Sequence, residues 1–177
     1  MRKFVRSGMV AYDVGANAGF FTLALSRMVE GGGTVVAFEP FAENAANLLR
    51  HIALNKLTNI QLIQAALSDT SEIVHFQVAA NNSMGKISEV RGSYRVPTLT
   101  VDKIVGKERI PGPDLIKIDV EGAESRVLRG ASMTIQRFRP VIFLSLHGDI
   151  ERMQCVVQLR AWGYTLDRLE GSRIDLN

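Results

Sequence analysis

The chain has 177 residues, 46% of them apolar and 22% charged, with a formal net charge of +3. That length supports one domain with a real core, and the composition excludes intrinsic disorder. So mild a charge marks no nucleic-acid partner, no apolar run is long enough to cross a bilayer, and the single cysteine, Cys155, excludes an internal disulfide or a cysteine-rich metal site. The opening segment MRKFVRSGMV is basic but lacks the apolar stretch and cleavage site of a signal peptide, so a cytoplasmic setting is expected.

MVAYDV, residues 9–14, predicts a short buried strand. FFTLALSRMV, 20–29, predicts a helix that the glycines at 31–33 stop. TVVAF, 34–38, is a second strand. From Phe41 to Leu54 the apolar residues at 45, 48, 49 and 52 keep the helical period, and NIQLIQAAL, 59–67, predicts a third strand.

The stretch 70–113 breaks this alternation. EIVHFQVA alternates as a strand, YRVPTLTV reads as extended with Pro97 at an edge or bend, and the polar AANNSMGKISEVRGS lies between them. It reads as a strand pair and loop added to the sheet, with Ser83, His75 and Arg91 able to line a substrate side. DLIKI, 114–118, then resumes the core strands. EGAESRVLRGA predicts a helix ending near Gly130, PVIFLSLH a strand over 140–147, and 150–161 a helix containing a buried Cys155. GYTLDRL and SRIDLN predict a closing antiparallel hairpin around Glu170 and Gly171. Arg126, Arg129, Arg137 and Arg139 cluster, and read as a solvated helix face before an anion site. The expectation is a single α/β domain over 1–177, three-layered and Rossmann-like, mostly parallel with a C-terminal antiparallel hairpin.

In open parallel sheets, ligands bind at the carboxyl ends of strands near the switch in strand order. Asp13, Glu39, Asp119 and His147 all stand at such predicted ends. The turn after the first strand is Gly15-Ala16-Asn17-Ala18-Gly19. It fails the dinucleotide fingerprint, because Asn17 and Phe20 occupy its second and third glycine positions. An acid at position 13 repels a pyrophosphate and suits a cationic or amino-bearing ligand, while Glu39 suits ribose hydroxyls. S-adenosylmethionine offers an ammonium, a sulfonium and a ribose, and no phosphate. Taken alone, Asp13 also reads as a helix-capping carboxylate and Glu39 as a solvated strand-end acid.

DVGANAGFFTLALS, VVAFEPFAENAANLLRHIALN, IQLIQAALSD, TLTVDKI and DLIKIDVEGAESRVLRGA together resemble the FkbM-type S-adenosylmethionine-dependent methyltransferases. The resemblance covers roughly residues 9–147, and its most specific part is IDVEGAE with the downstream SLH. It implies a class I methyltransferase sheet, S-adenosylmethionine as cofactor, and O-methylation of a sugar or small-molecule hydroxyl. It also implies cofactor contacts from Asp13, Gly15, Ala16, Asn17, Gly19, Glu39, Pro40 and Ala66. Two departures concern the acceptor side: twelve residues precede Asp13, where the family carries a longer segment, and Ser145 replaces an acid two positions before His147.

Methyl transfer to a hydroxyl needs alignment and a base. Asp119, Glu121 and His147 are the candidates. One of the two acids also reads as a cap of the next helix, and His147 also reads as a strand-end histidine bonded to a neighbour. Glu124 reads as a first-turn helix residue, and Lys117 as a buried cation paired with an acid. Positions 119, 121 and 147 have no compact metal-ligand spacing, so no metal is expected. An NAD-dependent oxidoreductase and a non-catalytic cofactor-binding module are the alternatives.

Overall fold

Strands that are apolar on both faces must lie between two layers of helix. The computed structural model, which describes residues 1–78, 85–87, 94–107 and 109–168, has this arrangement. The chain begins β1 (Val10–Val14), α1 (Phe20–Met28), β2 (Thr34–Phe38), α2 (Ala42–Leu54) and β3 (Ile60–Ile63). Next come β4 (Ala66–Leu67), β5 (Ile73–Val78), β6 (Gly85–Ile87), β7 (Tyr94–Leu99) and α3 (Val101–Gly106). It continues through β8 (Leu115–Ile118), α4 (Glu124–Gly130), α5 (Ser132–Phe138), β9 (Val141–Leu144) and α6 (Asp149–Ala161).

Five of these strands form one parallel sheet in the order β3-β2-β1-β8-β9. Alternate residues divide between its faces. Ala11, Val35 and Leu115 pack with Leu25 and Val29 at α1, and Ala37 packs with Leu48 of α2. Tyr12, Val36 and Ile116 point the other way, into a larger core with Ile104, Leu128, Ile135, Cys155 and Leu159 from α3 to α6. The three layers follow, with the buried Cys155 thiol pushed up to about 12 by its burial.

The structure departs from the sequence expectations in four places. The predicted strand 59–67 is broken: Ala65 N–H turns back to the Ile63 carbonyl at 2.9 Å, and the chain leaves the parallel sheet. Ala66 and Leu67 instead begin a second, four-stranded sheet, β4-β7-β5-β6, in which β5 runs antiparallel to both β6 and β7. The insertion therefore builds its own sheet. Helices α3 and α5 were not expected; the amides of Met133 and Thr134 in the first turn of α5 are capped by Asp102, at 3.0 and 2.7 Å, a residue about thirty positions earlier. VIFL, a continuous apolar run of the kind that suits a strand covered on both faces, is only half-buried because β9 ends the sheet among the described residues. The turn and second arm expected for a closing hairpin, with Ser83 and Arg91, lie outside the described residues.

Gly130 ends α4 where the chain runs against the segment after β4. A Cβ there would sit 1.9 Å from the Ser68 carbonyl oxygen. Gly130→Ala adds helix propensity of about 1 kcal/mol, but the overlap with a backbone atom outweighs it. Urea unfolding is expected to show a net loss of about 1–3 kcal/mol. Unchanged or increased stability would contradict this packing.

Candidate active site

Strand order brings the predicted residues together. Glu39, Asp119 and His147 follow the carboxyl ends of β2, β8 and β9, and Asp13 is the penultimate residue of β1; these strands are adjacent in the order β2-β1-β8-β9. Chain order reverses between β1 and β8, and a cleft of about 320 Å³ opens at those ends. Gly15, Ala16, Asn17, Glu39, Pro40 and Ala66 line it on one side, and Asp119 and Glu121 on the other.

The turn after β1 is set by close approach. Gly15 has φ +76°, and a Cβ there would meet the Asp119 carbonyl oxygen at 2.0 Å. The Gly15 and Ala16 amides both donate to the Phe38 carbonyl at 3.0 Å. Asn17 adopts φ 50°, a left-handed conformation that asparagine tolerates better than most residues. That conformation aims its N–H at Glu39 Oε2, 2.8 Å away. Glu39 Oε1 accepts from the Phe41 amide at 2.9 Å and from Asn44 Nδ2 at 3.4 Å. Glu39 is therefore a buried, fixed carboxylate. Burial lifts its pKa above the ordinary value, with the Phe41 and Asn17 amides pulling the other way.

Asp13 is placed differently from the expectation. It is fully buried behind the turn and does not line the cleft. Its Oδ1 lies 3.1 Å from Lys117 Nζ, its cross-strand neighbour, and its Oδ2 accepts from Thr22 Oγ1 at 2.6 Å. The cation takes up the charge that was expected to meet the ligand. Lys117 Nζ also donates to the Gly15 carbonyl at 3.1 Å and stands 3.8 Å from Asp119. Gly19 likewise lies off the cleft, at the start of α1.

On the far side Asp119 and Glu121 line the cleft, and His147, outside that lining, converges on them. His147 Nε2 is 3.7 Å from Asp119 Oδ1 and 3.6 Å from Glu121 Oε2. Ligand atoms of all three fall within 4.8 Å of one another, a grouping that the sequence spacing does not reveal. Glu121 holds its place at φ 54°, an uncommon value for a non-glycine residue. Neither acid caps α4, contrary to the capping reading; its Ser125 amide is taken by Glu151 of α6 at 2.9 Å. His147 Nδ1 meets Glu124 Oε1 at 2.6 Å. The Glu124 hydrogen bond raises the His147 pKa above its ordinary value, with burial opposing and the charges of Glu121, Glu124 and Asp119 adding to it.

Several contributors were missed in the sequence. Phe20, Phe21 and Phe41 line the cleft, and nothing in their spacing separates them from core aromatics. Glu124 does stand in the first turn of α4, as the sequence suggested, but the pattern gave no sign that it is fully buried. Of the arginine cluster, Arg126 and Arg129 both grip Asp69, at 3.0 and 3.1 Å, which accounts for their proximity without an anionic ligand. His75 stands opposite Arg95 in the second sheet, away from the cleft.

A parallel sheet of this order, with a tight turn after β1 and a buried acid after β2, defines a Rossmann-like α/β fold. The chain belongs to the methyltransferase FkbM domain family, whose model matches residues 13–169. It is 31% identical over 144 residues to the hexuronic acid methyltransferase AglP of Haloferax volcanii, a match covering 80% of this chain and 57% of that protein. It is 27% identical over 200 aligned positions to the 31-O-demethyl-FK506 methyltransferase FkbM of Streptomyces tacrolimicus, covering 92% of this chain and 75% of that one. The chain thus spans little more than half of the first relative and three quarters of the second. Among solved structures it is similar to the methyltransferase FkbM of Methylobacillus flagellatus, with a TM-score of 0.64 at 20% identity, over 86% of this chain and 37% of that chain. Among the described residues no helix is long and apolar enough to cross a membrane.

Lys117→Met would leave Asp13 buried and unpaired. Denaturant unfolding is expected to show a loss of about 3–5 kcal/mol, most of it recovered when Asp13→Asn is added. A single variant as stable as the parent would show that the pair is dispensable.

Proposed function

We propose that the protein transfers a methyl group from S-adenosylmethionine to a hydroxyl of a sugar or small-molecule acceptor. The observation that carries this reading is one cleft with two differently equipped ends. A buried carboxylate, Glu39, stands beside a backbone turn at one end, and Asp119 and Glu121 stand at the other with His147 Nε2 within 3.7 Å of both.

The residues fit the cofactor. Among the described residues, Glu39 commits three of the about four lone-pair directions of a carboxylate, to the Asn17 and Phe41 amides and to Asn44; one stays free on Oε2, and the long 3.4 Å contact with Asn44 can be exchanged for a second. It would take the ribose hydroxyls. Pro40, Phe41, Ala66 and Leu67 give an apolar wall for adenine. The turn at Gly15–Asn17 lies between that wall and Asp119, where the methionine portion would sit. When bound, S-adenosylmethionine supplies an electrophilic methyl on a cationic sulfonium, and displacement leaves a neutral thioether.

Asp119 and Glu121 place negative charge where a cationic group arrives. His147 presents Nε2 on the same side and would take the hydroxyl proton as the new C–O bond forms. Alignment of acceptor and methyl supplies the larger share of the rate, about 7–11 kcal/mol in favourable cases. The relatives' names, a hexuronic acid methyltransferase and a 31-O-demethyl-FK506 methyltransferase, support an oxygen acceptor of the sugar or natural-product kind.

Calorimetric titration with S-adenosylmethionine and S-adenosylhomocysteine, with NADH as control, tests the reading. Saturable binding of the first two and none of NADH is expected. Glu39→Ala should weaken it by about 1–3 kcal/mol through loss of a charged hydrogen-bond partner. Binding of neither nucleoside by a folded protein overturns the proposal.

A further inference from the structure

A carboxylate removed from water requires partners, and an ionised one requires a cation or strong donors. Glu124 is fully buried at the start of α4. Its Oε1 accepts from the Gly122 amide at 3.1 Å and meets His147 Nδ1 at 2.6 Å. Its Oε2 has no hydrogen-bond partner among the described residues, and its one ion-pair partner there is His147. The strongest contact this buried charge has is therefore an imidazole N–H. Gly122 belongs to the turn that carries Glu121, so one carboxylate oxygen ties that turn to the loop after β9.

The contact has a chemical consequence. A carboxylate at Nδ1 demands a proton there, so a neutral His147 must leave Nε2 bare. Free histidine side chains in water prefer the opposite form. The bare Nε2 is the atom that faces Asp119 and Glu121 at the cleft. The same carboxylate–imidazole pairing orients catalytic and metal-bound histidines elsewhere.

We propose that Glu124 is a positioning residue for methyl transfer: it fixes the orientation and the Nδ1–H form of His147 and so presents Nε2 to the acceptor hydroxyl. This rests on the methyltransferase reading for its function, but not for its geometry. Among the described residues, the charged groups facing the imidazole are Glu124 from α4 and Asp119 and Glu121 from the turn before it, all acids. Each stabilises the protonated ring, so removing one lowers its titration midpoint.

The test is long-range proton–nitrogen NMR of the ¹⁵N-histidine-labelled protein. The chain has 3 histidines, His51, His75 and His147, and His147→Gln assigns the third. Above its midpoint, His147 is expected in the Nδ1–H form, with that midpoint above the ordinary imidazole value. Glu124→Gln should lower the midpoint and admit the Nε2–H form, and Glu124→Asp should restore part of the effect. Calorimetry should give the same S-adenosylhomocysteine affinity for parent and Glu124→Gln. With an acceptor in hand, kcat should fall by about tenfold or more with KM little changed. An Nε2–H tautomer in the parent protein overturns the proposal, and so does a midpoint that Glu124→Gln leaves in place. The parent tautomer decides the matter even if the variant fails to fold. Failure of the parent to bind the nucleoside would instead overturn the functional reading and leave the tautomer result standing.

Discussion

The buried pair of Asp13 and Lys117 is the constraint around which this molecule is arranged. The two residues face each other across the parallel strands β1 and β8, where chain order reverses. Asp13 is fully enclosed and the Lys117 side chain is 7% exposed. Burying such a pair costs desolvation that close contact only partly offsets. Hydrophobic residues there would hold the sheet as well or better. What they would lack is reach: one ammonium holds Asp13, the Gly15 carbonyl and the neighbourhood of Asp119 at once.

From that anchor the two sides of the cleft take their positions. Fixing the Gly15 carbonyl fixes the turn through Asn17, and the Asn17 amide in turn holds Glu39. On the other side, the same cation lies beside Asp119, next to Glu121 and His147. Lys117 is the only cationic side chain among the described residues lining the cleft, and Asp13 takes up its charge. The remaining charged groups on the lining are acids. A cleft so equipped favours a cationic nucleoside over one bearing phosphates, which is the physical content of the departure from the dinucleotide fingerprint.

Much of this was legible in the sequence because it depends on pattern and on ends of strands. Continuous apolar runs such as TVVAF place strands, and a polar residue closing each run marks the site wherever the strands prove adjacent. What was not legible depends on contacts between distant segments. Asp102 caps a helix about thirty residues away, so α5 carries no local start signal. Asp13 looked available because nothing in MVAYDV announces Lys117, over a hundred residues on. Glu124 could be placed in a first helical turn, but not in the site, because its partner, His147, lies beyond another strand's end. Asp119, Glu121 and His147 come together only through the pairing of β8 with β9.

The central claim is that one nucleoside spans the cleft from Glu39 to the acid–histidine group. A crystal structure of the protein with S-adenosylhomocysteine tests it most directly. The account predicts the ribose hydroxyls on Glu39, adenine against Phe41 and Ala66, and the sulfur directed toward Asp119 and His147. A ligand bound with its sulfur turned away from His147, or outside this cleft altogether, would contradict it.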